Sequence, residues 1–283
     1  MSVTLTTVLG DLAFPEGPRW RDGRLWFSDM HSDEVVAMTT EGRRETVFKH
    51  DQPVSGLGWL PDGRMLVVSM EDRRLLRIEP DGTPALHADL GAIATGHCND
   101  MVVDAHGRAY VGNFGVGYPD ATKVQPAKMA RVDPDGRVSV AADDLVFPNG
   151  TMITPDGKTL IVGETFAARM TAFDIAPDGT LSNRRVWAPL PERAVPDGAC
   201  LDAEGAVWVA SPTTSDVIRL KQGGEVLDRI TADQGCFACM LGGDDRKTLY
   251  VLTAGGADAA DTRRVRKGRI EQARVAVPGA GLP

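Results

Sequence analysis

The sequence predicts an all-β fold, a six-bladed β-propeller of four-stranded antiparallel blades, on three observations. One segment pattern recurs six times, a second set of turns alternates with it, and no helical period of 3.6 runs long enough to compete. In order, the copies are "PEGPRWRDGRLWFSD", "VSGLGWLPDGRMLVVS", "CNDMVVDAHGRAYVGN", "PNGTMITPDGKTLIVGE", "PDGACLDAEGAVWVAS" and the weaker "FACMLGGDDRKTLYVLT". Each joins a short apolar strand to a stronger one through a turn ending at Gly23, Gly63, Gly107, Gly157 or Gly205, with Arg246 in the last copy. Polar-Gly pairs between apolar runs are hairpin signals.

The second set of turns is "TEGR" from Thr40, "PDGT" from Pro80, "PDGR" from Pro134, "PDGT" from Pro177, "QGGE" from Gln222 and "KGRI" from Lys267. Two hairpins per unit make four strands, and six units of roughly 40–50 residues match the spacing of propeller blades. A sandwich would not repeat six times, and a solenoid repeats with shorter coils. Residues 1–283 are therefore expected to form a single propeller domain. Ring closure removes free sheet edges, so "LTTVLGD" near the N-terminus is expected to pair with the C-terminal "RIEQARVAV". The insertion "GVGYPDATKVQPAK" in the third unit is expected to be a loop on one face.

Composition narrows the partners. Acidic residues exceed basic ones, 39 to 31, for a net charge of -8, which argues against nucleic-acid and anionic-membrane partners. The start lacks the features of a signal peptide, and no stretch approaches the roughly 18 apolar residues of a membrane span, so a cytoplasmic location is the default. Four cysteines do not make a disulfide framework. Cys236 and Cys239 form a CxxC, but a strand sends residues three apart to opposite faces, so buried apolar thiols are expected. The basic run "RRVRKGR", Arg263 to Arg269, reads as a solvated hairpin end.

Alignment of the copies on their turns places Glu16, Ser55, Asn99, Asn149, Asp197 and approximately Phe237 at one equivalent point, where the innermost strand of each blade begins. Gly17, Gly56, Gly150 and Gly198 follow in four of them, and three copies share Pro-X-Gly with an oxygen donor at X. "PDG" elsewhere merely makes turns. At Pro196 the register differs: the copy's own hairpin turn, "AEGA", comes later, so Asp197 precedes the strand. Carboxylates and amides from four blades thus converge on one mouth of the channel. Two carboxylates with amide oxygens, and no His or Cys, make a hard-oxygen site for one divalent cation. Ca²⁺ is favoured; Zn²⁺, Mg²⁺ and Mn²⁺ also suit it. Two like charges buried there without a cation would cost several kcal/mol.

"PEGPRW", "ND" at Asn99 and Asp100, "FPNG" with "TPDGKTLIV", and "VPDG" before an acidic-Gly hairpin resemble the senescence marker protein, gluconolactonase and luciferin-regenerating enzyme family. The match spans nearly the whole chain in order and spacing. The resemblance implies a six-bladed propeller with one divalent metal and lactone hydrolysis. It further implies that Glu16, Asn149 and Asp197 are metal ligands, that Asn99 is a further ligand or a substrate contact, and that Asp197 is the catalytic base. Sugar-lactone members often carry Arg two residues before the Asn; this chain has His97 there, in "GHCND", which sets a preference for aldonolactones in doubt.

Antiparallel pairing returns the end of each second strand to the level where the first began. Asp29, Met30, Met70, Asn113, Phe114, Glu164, Thr165 and Ser211 are expected around the same mouth. Among them Asn113 and Glu164, with His97 and Asn99, are the candidate substrate contacts; Glu164 alternatively makes a structural salt bridge with Arg169. Phe14, Phe147 and Phe237 flank the ring positions as an apolar collar or as core. The expected function is metal-dependent opening of a small-molecule lactone by metal-activated water. Its rivals are a metal-dependent phosphotriesterase or other esterase, and a calcium-binding propeller without turnover. No GxSxG elbow and no His in a triad context occurs.

Overall fold

The computed structural model describes residues 4–115 and 125–282. They form six four-stranded antiparallel sheets in a ring, the expected six-bladed propeller. Blade 1 runs outward through Pro15–Arg21, Arg24–Asp29, Glu34–Met38 and Arg44–Lys49, and blade 2 through Val54–Trp59, Met65–Ser69, Arg74–Ile78 and Pro84–Asp89. Blade 3 comprises Cys98–Val103, Ala109–Asn113, Ala127–Val132 and Val138–Leu145; blade 4, Pro148–Ile153, Thr159–Glu164, Arg169–Ile175 and Leu181–Pro189. Blade 5 comprises Ala199–Leu201, Val207–Ser211, Asp216–Leu220 and Val226–Thr231. In blade 6, Gly235–Gly242, Thr248–Ala254 and Gly268–Arg274 are joined on the outside by Thr6–Leu12.

That last pairing is the expected clasp, with Thr6 opposite Gln272 and Leu12 opposite Gly268. One sequence expectation fails beside it. "KGRI" is not a second hairpin turn, because the N-terminus supplies the outermost strand of blade 6 and the chain needs no turn into it. Lys267 instead precedes the third strand, and a short helix, α1 (Ala259–Val265), occupies the preceding connection. Asp258 caps α1 by accepting the Asp261 N–H at 2.9 Å.

Burial follows position in the blade. Inner strands such as Cys98–Val103 and Pro148–Ile153 are buried throughout, while the outer Arg44–Lys49 is mostly exposed. The core lies between facing blades: Val35, Phe48, Val54, Leu57 and Val67 join blades 1 and 2, and Tyr110, Leu145, Leu160 and Phe173 join blades 3 and 4. The C-terminal tail passes beneath three blades. Gly279 N–H donates to Arg246 O, Ala280 N–H to Leu201 O, and Leu282 exchanges both backbone bonds with Ile153. Residues 116–124, the middle of the expected third-blade loop, lie outside the described residues. No helix among the described residues is long and apolar enough to cross a membrane.

Candidate active site

Two local devices bring the ring positions together. The first is a break in strand register immediately after them: between Glu16 and Arg19, Val54 and Leu57, Cys98 and Met101, Asn149 and Thr151, and Cys236 and Ala238. Such bulges turn a side chain out of the regular alternation. The second is the following glycine. A Cβ on Gly56 would lie 2.6 Å from Met101 N, and one on Gly150 would lie 2.7 Å from Ala199 N. At these two positions only glycine lets the inner strand press against the next.

Glu16, Asn99, Asn149 and Asp197 meet at one end of the channel, each 5–8% exposed. Ser55 Oγ donates to Asn99 Oδ1 at 3.1 Å, and Asn99 Nδ2 donates to Asn149 Oδ1 at 3.2 Å. Asn149 in turn bonds the Asp197 carboxylate. Asp197 precedes its strand, as expected, and is pinned by backbone bonds to blades 5 and 6: its N–H donates to Ala210 O at 3.0 Å, and the Gly198 N–H to Phe237 O at 2.8 Å.

Burial pushes the Glu16 carboxyl well above the usual carboxylate range, and the Asp197 charge adds to it. Burial also lifts Asp197 to about 8, against the Asn149 hydrogen bond and with the charge of Asp100. Two carboxylates that resist ionising together, set among amide oxygens, are donors that fit a hard divalent cation in place of a shared proton. Among the described residues no three His, Cys, Asp or Glu side chains gather as a metal site, and the four cysteines are free and buried.

The ends of the second strands behave differently from expectation. Glu164 is fully buried and accepts from Val146 N at 2.9 Å, Arg169 Nε at 2.9 Å and Thr171 Oγ1 at 2.5 Å, with Arg184 at 3.3 Å. Of the two roles expected for Glu164, the bridge with Arg169 is the one these contacts make. Asp29 and Ser211 occupy the equivalent place in their blades and do the same work, accepting from Phe14 N at 2.7 Å and Val195 N at 3.2 Å. These side chains orient the segments that lead into Glu16, Asn149 and Asp197. Asn113 is corrected: its amide donates to Lys128 O at 2.7 Å and accepts from Gly115 N at 3.1 Å. His97 is half-buried, 6.3 Å from the Phe114 ring. Phe14, Met30, Met70, Phe114, Phe147 and Phe237 belong to one apolar cluster drawn from five blades.

The basic run is also corrected. Arg263 Nε donates to His31 O at 2.7 Å and Arg266 to Asp11 O at 2.7 Å, so these residues dock α1 on blade 1 and on the clasp strand Thr6–Leu12 of blade 6. His31 bonds Thr262 Oγ1 at 2.7 Å and stacks on Phe14 at 4.7 Å, the ring beside Phe237. The sequence offered one signal for α1, an Asp258 cap before a short run too brief for periodicity.

Residues 14–255 match the SMP-30/gluconolactonase/LRE-like region. The chain belongs to this family. Among relatives, a pentonolactonase of Haloferax volcanii is 28% identical over 248 residues, 85% of this chain and 81% of that one. Regucalcin of Bos taurus is 28% identical over 271 residues, 91% of this chain and 86% of its own. The fold resembles a luciferin-regenerating enzyme, with TM-score 0.83 and 21% identity over 99% of this chain and 98% of that one. A gluconolactonase from Xanthomonas campestris gives TM-score 0.78 and 22% identity, covering 98% of this chain and 90% of that one. A calcium-binding regucalcin from Agrobacterium tumefaciens gives 0.81 and 22%, covering 96% and 93%. At these identities the solved structures speak for the family's fold alone.

Proposed function

We propose that the chain is a metal-dependent lactonase whose site is the ring of Glu16, Asn149, Asp197 and Asn99. The observation that carries this reading is two buried carboxylates and two hydrogen-bonded amides brought from separate blades to one mouth, in a chain of the gluconolactonase family. Glu16, Asn149 and Asp197 would hold the cation, with Asn99 beside them as ligand or substrate contact. When bound, the cation supplies polarisation of a lactone carbonyl and acidity to water. Asp197 takes the proton of the attacking water on its carboxylate and returns it to the leaving oxygen of the opened ring. Asn99 and His97 bind the lactone, and the Phe14, Phe147 and Phe237 rings keep bulk water from it. Asn149 holds the Asp197 carboxylate in place through its amide.

The likeness to a calcium-binding regucalcin supports a second reading, a calcium-binding propeller without turnover. A panel of lactones and a phosphotriester, assayed on chelator-stripped protein before and after each of Ca²⁺, Mg²⁺, Mn²⁺ and Zn²⁺, separates the readings. Metal-restored lactone hydrolysis is expected; metal binding without any turnover would overturn the enzyme in favour of the scaffold.

A further inference from the structure

The position after each ring residue carries Gly17, Gly56, Gly150 and Gly198 in four blades and Ala238 in the sixth, but Asp100 in the third. Where neighbouring backbone leaves glycine alone at Gly56 and Gly150, blade 3 inserts a carboxylate only 8% exposed. Its Oδ2 accepts from Thr151 N in blade 4 at 3.3 Å, and its Oδ1 accepts from an Arg19 terminal nitrogen at 2.7 Å. Arg19, 5% exposed, reaches there from blade 1. On the way its Nε donates to Leu57 O of blade 2 at 2.9 Å, one terminal nitrogen to Pro18 O at 2.7 Å, and the other also to Met101 O.

A buried ion pair is weak evidence for stability, since apolar residues of similar volume often serve as well. This pair sits one residue from Asn99, and the Asp100 charge acts on both Glu16 and Asp197. We propose that Arg19 and Asp100 form a charge-setting brace behind the ring: Asp100 adds a third negative charge, and Arg19 fixes and offsets it, so that the pair sets the ring's affinity for a divalent cation. The inference rests on the cation reading of the ring. With the pair intact the four charged side chains sum to -2; without the Asp100 charge they sum to -1, and without that of Arg19 to -3.

Calcium titration calorimetry on the chelator-stripped full chain tests it, because the two halves of the brace shift affinity in opposite directions. Asp100→Asn is expected to weaken Ca²⁺ binding about tenfold or more, and Arg19→Met to tighten it severalfold. Arg19→Lys, which keeps the charge without the fork, should stay within about threefold. A purely structural bolt would weaken binding in both Asp100→Asn and Arg19→Met, and that result overturns the proposal while leaving the cation site standing. Should Arg19→Met not fold, weakening in Asp100→Asn with Arg19→Lys unchanged supports the brace, and equal weakening in both overturns it. A wild-type protein that binds none of Ca²⁺, Mg²⁺, Mn²⁺ and Zn²⁺ would remove the cation reading itself, and this inference with it.

Discussion

Asp197 carries two assignments that substitution can separate. Asp197→Asn keeps its size and one ligand oxygen but removes the basic carboxylate. With excess metal this variant should stay folded and bind the cation, yet lose about 10²–10⁴ in kcat. Glu16→Gln should show weaker metal affinity and near-full activity at high metal, because it moves no proton. Equal rescue of both by metal titration would leave Asp197 a ligand only. His97 stands where sugar-lactone members carry Arg, beside the apolar cluster of Phe14, Phe114, Phe147 and Phe237. Polyhydroxylated lactones should therefore turn over more slowly than less polar ones, and His97→Arg should raise kcat/KM for the former about tenfold. Gluconolactone as the best wild-type substrate by a wide margin would refute that reading. The ring residues were legible because register alone assigns them to one level. Level does not say whether a side chain faces the channel or its own blade, which is why Asn113 was placed as a substrate contact and Glu164 was left between a pocket role and the Arg169 bridge that it makes. Asp100 was legible in principle, as the charged exception in a column of glycines.

At the scale of the strand, the glycines after the ring positions set how closely the blades converge. Gly150→Ala should cost about 1–3 kcal/mol in denaturant unfolding, because the added methyl meets the backbone of blade 5. Gly10→Ala meets nothing within 4 Å and should be close to neutral; similar losses in both would show that packing at the axis is not the cause. The contact of α1 with blade 1 is pH-sensitive. Burial, with the charge of Arg263, lowers His31 from 6.5 to about 4. Thr262 Oγ1 donates to Asp258 O at 2.9 Å and so accepts from His31 Nδ1–H, a bond open to both forms of the ring, which leaves burial and the Arg263 charge to favour the neutral one. Between pH 6.5 and about 4 the unfolded chain takes up a proton that the folded one refuses, so stability falls as pH falls through that window. His31→Gln should flatten this part of the profile of Tm against pH. An unchanged slope would assign it to other groups.

Across the whole molecule, the proposed reading links cation binding to ring integrity, since its four donors come from three separate blades and the loop before a fourth strand set. Chelation should lower Tm; a cation at about 100 times its Kd contributes roughly 2.7 kcal/mol to the folded state. A Tm indifferent to chelator and to added metal would argue against the ring as a cation site. The fold itself was legible because six copies of one pattern leave few alternatives, and the clasp because a ring must hide its edges. What lay beyond the sequence were contacts without a period, such as the tail under blades 4 and 5. The clasp also orders events during synthesis. Thr6–Leu12 is made long before its partner Gly268–Arg274. That strand must therefore wait, unpaired, while the five intervening blades and the inner strands of the sixth are translated. Ring closure thus depends on a contact of very long sequence separation, the kind that forms slowly and leaves a strand edge open to capture by another nascent chain.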